Sequence, residues 1–496
     1  MTEAVAAVAA VDLGATSGRV MLGYVGHNEL SLRPVARFPN GPVATSDGLR
    51  WNVSGLYRNV ISGLVAAIRE EADVRSIGVD SWAVDYALLS GDRILAEPFH
   101  YRDQRNVPAV AAVHELVSAA DLYRANGLQH LPFNTLFQLT ADRLSGSLDE
   151  ADGMLLIPDL LSFWLTGRRF AERTNASTTG LLSVMSGRWD STLIETLGLP
   201  RNIFPELIDP GSTVGGLLTG VAASLGVRSG VSVTAVGSHD TASAIVAIPA
   251  VSADFAYISC GTWSLVGVEL EHPVLTEGSR LAGFTNEGGV DGRIRYLKNV
   301  MGLWLLSETV RGWETEGEHI DLPDLLRQAA AVNYTVTQFD VNDPMFLAPG
   351  NMPKRITNWC TEHQLLIPVS HAAIVRSILE SLAAAYARTI TQLQEQTGKT
   401  ISVIHLVGGG SQNSLLCQLT ADHTGLPVIG GPVEATAIGN VLIQGRAQNL
   451  IGGDLENLRS LVVKSSRQIR YTPSLRRVAS RSIGSAREAI DQVTTP

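Results

Sequence analysis

The run VAAVAAVDLGATSGRVMLGYV, residues 5–25, decides how the rest of the chain is read. Residues 5–13 form an apolar, β-branched and small-residue stretch that predicts a buried strand. Gly14–Gly18 is a turn, and RVMLGYV (19–25) is a second strand. No helix-length segment separates the two runs, so they form a hairpin. A turn rich in Gly, Ser and Thr lets backbone approach phosphate oxygens while N–H groups and hydroxyls donate to them. Taken alone, DLGATSGR reads first as a plain tight hairpin turn. Asp12 stands at the strand end, where a carboxylate can hold Mg²⁺ through water.

The theme returns 245 or so residues later. FAYISCGTWSLVGVEL (255–270) is again strand, Gly-Thr turn, strand, with Cys260-Gly261-Thr262-Trp263 aligning with Leu13-Gly14-Ala15-Thr16. Two such hairpins predict two structurally related halves. ISVIHLVGGGSQNSLL (401–416) is strand, glycine turn, helix; its three glycines serve either close strand–helix packing or a nucleotide lying against bare backbone. Between the hairpins, WNVSGLYRNVISGLVAAIREEA (51–72) has helical spacing, and SIGVDSWAVDYALLS (76–90) has strand character punctuated by Asp80 and Asp85. In VTAVGSHDTASAIVAI (233–248), a strand at 231–236 meets His239 and Asp240, and a helix follows. A carboxylate at that junction reads first as the helix N-cap, with metal ligand and catalytic base as the alternatives.

Length and composition bound the answer. At 496 residues, two domains are expected, and 45% hydrophobic with 17% charged residues fits a globular enzyme. A formal charge of −10 argues against general nucleic-acid binding. Cys260, Cys360 and Cys417 are widely spaced and odd in number, which predicts neither a disulfide framework nor a zinc site, and a cytoplasmic protein. The N-terminal stretch has no basic region and is interrupted by Asp12, so neither a signal peptide nor a membrane span is expected.

Several chemistries are absent. GKT at 398–400 ends like a P-loop, but position 393 is Leu where the motif needs Gly. No G-x-S-x-G occurs, YRD (101–103) is followed by no D-F-G, and His114-Glu115 lacks a second histidine at the zincin spacing. Three glycine-bearing turns and one well-placed carboxylate remain. That inventory fits phosphoryl transfer to a hydroxyl, in which a base accepts a proton while donor turns and Mg²⁺ stabilise the transferring group.

With those residues in view, the sequence resembles the FGGY carbohydrate kinases over roughly residues 8–450. The resemblance rests on AVDLGATSGRVML, VDSWAVDYALL, FNTLFQL (133–139), HDTASA, SCGTWSLVG, NEGG with RYLKNVMGLWLL (286–306), GGGSQNSLL and GPVEATAIGN (431–440). It implies an α/β, two-domain actin-like ATPase fold with ribonuclease-H-like cores and an interdomain catalytic cleft for a ketose and Mg·ATP. The domains would be 1–248, for sugar and phosphate, and 249–471, for nucleotide, followed by a tail at 472–496. By the match, Asp240 is the base for the ketose C1 hydroxyl. His239, Thr241 and the backbone at Ala83 resemble sugar contacts. Ala15, Thr16, Ser17, Gly18 and Arg19 resemble the first phosphate element and Thr262 the second. Asn299, Ser307 and Gly410 fall at ATP-contacting positions, and Asp12 matches an acid near the metal. The partners implied are a small ketose and ATP, with no nucleic acid or membrane, in a monomer or homodimer.

Two positions depart from the family pattern. Position 83 is Ala where Gly is expected, and 307 is Ser where a longer Gln is expected. A sugar or nucleotide sensor without catalysis, and a structural ATPase, share the hairpins. An altered acid at 240 would mark the sensor, and SWAVDY with HDTASA has no place in the structural ATPase.

Overall fold

The computed structural model describes residues 5–227 and 230–474. The sequence-derived tail at 472–496 therefore lies mostly outside the described residues. Two compact units divide the chain: one takes residues up to 251 together with 269–298 and 434–466, and the other takes 252–268, 299–433 and the residues from 467.

In the first unit, β1 (Ala6–Leu13) is buried along its whole length, as its apolar sequence demands. It pairs antiparallel with β2 (Ser17–Gly26), which pairs antiparallel with β3 (Glu29–Pro39). Helix α1 (Val53–Glu70) buries Leu56, Val60, Leu64 and Ala67 on one face, and Asn52 caps it by accepting from Gly55 N–H. The chain returns as β4 (Val74–Ser81), parallel to β1. Strand character does not continue through residues 82–85: β5 (Tyr86–Ser90) belongs to a separate three-stranded sheet. The break is at Val84, whose φ of +68° is unusual for a β-branched residue, and Asp85 N–H bonds the Ala83 carbonyl across it. Strand β6 (Thr213–Gly216) and strand β7 (Ser232–Thr234) complete the main sheet, whose order is β6-β7-β4-β1-β2-β3. The 231–236 expectation thus shortens to three paired residues.

Helix α2 (Asp240–Val246) follows β7. Residues 106–145 contribute helices around a second core that contains Leu136, Phe137, Leu139 and Leu156.

The second unit repeats the plan. Strand β8 (Phe255–Cys260) pairs antiparallel with β9 (Trp263–Leu270) and parallel with β10 (Val403–Val407). Strand β10 pairs parallel with β11 (Val428–Gly430), which pairs antiparallel with β12 (Ile469–Tyr471). A hairpin feeding parallel strands occurs in both units, so the likeness of the two turns extends to topology. The long helix Ser370-capped at 371–397 ends on Gly398 at φ +66°, so the GKT sequence is a helix C-cap. Cys260, Cys360 and Cys417 are free and buried. No helix of the described residues is long and apolar enough to cross a membrane.

Helix α3 (Ala435–Ala447) is distant in sequence from the first unit but packs on α2, β1 and β4. The approach is backbone to backbone: a β-carbon at Gly439 would lie 1.8 Å from the Ser243 carbonyl oxygen. Gly439→Ala is expected to lower stability by about 3 kcal/mol despite its better helix propensity. Gly220→Ala, at a helical glycine with open space above it, is expected to be neutral or stabilising. Urea unfolding of the two variants checks both.

Candidate active site

In the first unit, adjacent parallel strands bring three acids to one edge. Asp12 near the end of β1 is in register with Asp80 of β4, and Asp240 follows β7, the next parallel strand. The chain beyond β7 stays beside β4: Ser81 N–H donates to the Ser238 carbonyl at 2.9 Å, and Ser81 bridges His239. C-terminal ends of adjacent parallel strands are where open α/β sheets place ligands.

These acids differ in surroundings. Asp12 is buried and accepts Arg19 Nε and Nη2 at 2.9 and 2.7 Å through Oδ2. Arg19 also pairs with Glu434. Asp80 is wholly buried and accepts Asn440 Nδ2 of α3 at 2.5 Å, while its Oδ1 has no hydrogen-bond partner. Burial, then the charge of Asp12, pushes the Asp80 carboxyl well above the usual carboxylate range. Asp240 remains 31% exposed at its side chain. Desolvation of the carboxylate raises its pKa, with His239 opposing and the Asp12 charge adding to the rise.

The cap expectation for Asp240 shifts by one residue. His239 is the N-cap position, without a side-chain cap bond, and Asp240 is already in the first helical turn. Its Oδ1 accepts the Thr241 hydroxyl at 3.1 Å and lies 3.5 Å from His239 Nε2. On the far side of the ring, Nδ1 is 3.1 Å from Arg295 Nη2 and 3.4 Å from Glu287 Oε2.

Glu172 holds this segment from behind. It is fully buried, and its Oε2 accepts Ser238 N–H at 2.9 Å, Ser238 Oγ at 2.8 Å and Thr174 Oγ1 at 2.6 Å. Burial raises its pKa in spite of these donors. Nothing local marks Glu172, because it meets Ser238 only through the fold.

The turn at Ala15–Arg19 is closed by Gly14 N–H on Ser17 O at 2.9 Å, and Asn40 N–H bonds Thr16 O at 3.1 Å. Thr16 is exposed, whereas Gly18 is packed against Phe38. Ala83 is half-buried and leads into the turn at Val84. Beyond that turn, Asp85 is the hub of an aromatic cluster that the sequence did not reveal. Its Oδ2 accepts Trp51 Nε1 at 2.5 Å, Trp82 Nε1 at 3.1 Å and Tyr101 N–H at 3.2 Å, and its Oδ1 accepts Gln138 Nε2 at 2.9 Å. Trp51 stacks with His100 at 4.1 Å between centroids.

In the second unit, the turns at 261–262 and 408–410 leave the adjacent strands β8 and β10. Gly408 has φ +82°; a β-carbon on Gly410 would lie 2.2 Å from Cys260 Sγ, and one on Gly409 would meet only open space. Two of the three glycines are therefore required by the fold, and the middle one leaves bare backbone. Thr262 O accepts Trp304 N–H at 3.3 Å, at the start of the helix Trp304–Thr315. Ser307 is exposed in that helix, and Asn299 is half-buried in the strand before it.

Comparison with known proteins finds matches over most of the chain. The model for the FGGY family of carbohydrate kinases, N-terminal domain, matches residues 7–247, and that for the C-terminal domain matches 256–448. A rhamnulokinase of Bacteroides thetaiotaomicron is 38% identical over 467 residues, 94% of this chain and 95% of that protein. One from Pectobacterium carotovorum subsp. carotovorum is 41% identical over 475 residues, 95% of this chain and 94% of that protein. A ligand-bound xylulose kinase structure from Lactobacillus acidophilus aligns with TM-score 0.77 at 16% identity, covering 98% of each chain. Plasmodium falciparum glycerol kinase with ADP aligns with TM-score 0.75 at 14% identity, covering 99% of each. At such identities the likeness is one of fold.

Asp85 supplies a pH test. Burial lifts its carboxyl to about 6 against the pull of Gln138, Trp51 and Trp82. The folded state then binds a proton that the unfolded state releases between about pH 4 and 6, so ionisation costs stability as pH rises. The unfolding free energy of the wild type minus that of Asp85→Asn is expected to fall by roughly 3 kcal/mol across that window. Denaturant titrations at several pH values measure it, and a flat difference refutes the assignment.

Proposed function

The chain belongs to the FGGY family of carbohydrate kinases and is an ATP-dependent sugar kinase, and we propose that it phosphorylates L-rhamnulose to L-rhamnulose 1-phosphate. The observation that carries the substrate is identity of 38–42% to proteins named rhamnulokinase.

In this reading Asp240 takes the proton of the ketose C1 hydroxyl as that oxygen attacks the γ-phosphorus. The new O–P bond forms while the bond from phosphorus to the β–γ bridging oxygen breaks, and ADP leaves. Asp240 suits the role because its carboxylate is partly exposed yet anchored through Thr241, and its raised pKa strengthens it as a base. His239, Thr241 and the Ala83 backbone orient the sugar. The Ala15–Arg19 turn and Thr262 donate to phosphates, and Asn299, Ser307 and Gly410 attend to the nucleotide. Residues 1–248 serve sugar and phosphate, and 249–471 serve nucleotide.

Mg²⁺ fits the first unit's acid edge. Asp80 has an orphaned buried oxygen, and burial together with the charge of Asp12 raises its pKa, crowding that a divalent cation relieves. Mg²⁺ keeps several waters and needs few protein ligands, and in this reading Asp12 would hold it through water. When bound, the ion neutralises phosphate charge. Buried free cysteines favour a reducing cytoplasm.

Asp240→Asn is expected to lower kcat by at least about 100-fold with ATP binding and unfolding little changed; a near-normal rate overturns the base assignment. In the wild type, activity is lost as pH falls through the raised pKa, so the acid limb of kcat/KM lies above the ordinary aspartate value. Ala83 gives reason to test a second ketose, because its methyl narrows the space beside the sugar contact. ADP release across L-rhamnulose, L-fuculose, L-ribulose, D-xylulose and glycerol should give the highest kcat/KM for L-rhamnulose. A higher value for another sugar replaces the substrate, and no release with any revives the sensor reading.

A further inference from the structure

Behind the candidate base lies an arrangement that the reaction as described does not use. Strands at Thr285–Gly288 and Ile294–Met301 form an antiparallel pair in which Glu287 stands opposite Arg295. Arg295 is fully buried, its Nε donates to Gly288 O at 2.8 Å, and its Nη2 lies 3.1 Å from Glu287 Oε2. Both Glu287 Oε2 and Arg295 Nη1 lack hydrogen-bond partners. Glu287 Oε2 and Arg295 Nη2 both approach Nδ1 of the His239 imidazole.

We propose that Arg295 is a positioning residue that fixes His239 in the Nε2-protonated tautomer and so orients the carboxylate of Asp240. A guanidinium has donors and no acceptor. The Arg295 Nη2 contact to Nδ1 has hydrogen-bond geometry at 3.1 Å and is shorter than the 3.4 Å from the same atom to Glu287 Oε2. With Nδ1 accepting from Arg295, the tautomer this contact selects carries the ring proton on Nε2. Nε2 lies 3.5 Å from Asp240 Oδ1, a separation that small ring movement closes. With Thr241 on the same oxygen, Oδ1 is occupied and Oδ2 is the proton acceptor. In the other tautomer a ring lone pair would face the carboxylate and push it away. Glu287 balances the buried charge of Arg295, which is costly to bury alone.

The inference rests on Asp240 being the base, but its test does not require the sugar to be known. In protein labelled with ¹⁵N-histidine, long-range proton–nitrogen correlation reads the tautomer, and His239→Asn identifies the signal. The wild type is expected to show protonated Nε2 and bare Nδ1. Arg295→Met leaves Glu287 buried and unpaired and is at risk of misfolding, so the double variant Arg295→Met with Glu287→Met removes both charges together. In it the Nε2 preference should disappear and kcat fall about tenfold or more, with KM for ATP unchanged. A wild-type ring protonated at Nδ1, or at both nitrogens, overturns the proposal. So does a double variant that keeps the Nε2 tautomer, whatever its kcat. If the tautomer behaves as expected while Asp240→Asn stays active, the base assignment fails and the Arg295–His239 contact stands.

Discussion

Like-charge crowding at one edge of a parallel sheet sets the terms for the first unit. Parallel pairing of β1, β4 and β7 puts Asp12, Asp80 and Asp240 at neighbouring strand ends. Buried carboxylates of one sign cannot all ionise unless donors or cations answer them. Each acid has its own answer: the guanidinium of Arg19, the amide of Asn440, and the hydroxyl of Thr241 beside the ring of His239. Burial and then the charge of Asp12 raise the pKa of the Asp80 carboxyl against the amide of Asn440. Asp240 alone keeps substantial exposure, and a proton acceptor needs access to its donor.

The same economy of donors shapes the segment that carries the acid. Glu172 collects Ser238 and Thr174, Ser81 holds the Ser238 carbonyl, and Arg295 holds the far nitrogen of His239. A short stretch of chain is thus tied to three distant parts of the sequence. Preorganisation of this kind places a reacting group without reorganisation during the reaction.

The hairpins were legible because a buried strand declares itself by composition and a tight turn by its glycines; both survive as β1–β2 and β8–β9. Residues 76–90 were not read correctly as one strand, because the break lies in the backbone of Val84 and no residue type there announces it. Asp240 was visible only as a junction acid. Its neighbours Arg295, Glu287 and Glu172 were invisible as a group because they meet through tertiary contact, across as many as 66 residues for Glu172 and Ser238. Family likeness named the site residues; it did not reveal the aromatic hub at Asp85, whose four donors come from four separate segments.

Helix α3 lends the first unit Asn440 for Asp80, Glu434 for Arg19 and a glycine for the close approach to α2, yet it is encoded after nearly all of the second unit. Synthesis runs from the N-terminus at about 5–20 residues per second. A nascent chain that has finished β7 and α2 thus waits roughly ten to forty seconds for α3. During that interval the Asp80 carboxylate lacks its amide, and the surface that α3 will cover is open. The first unit draws its last helix from beyond residue 434, and the acid edge is completed only once that helix has been made.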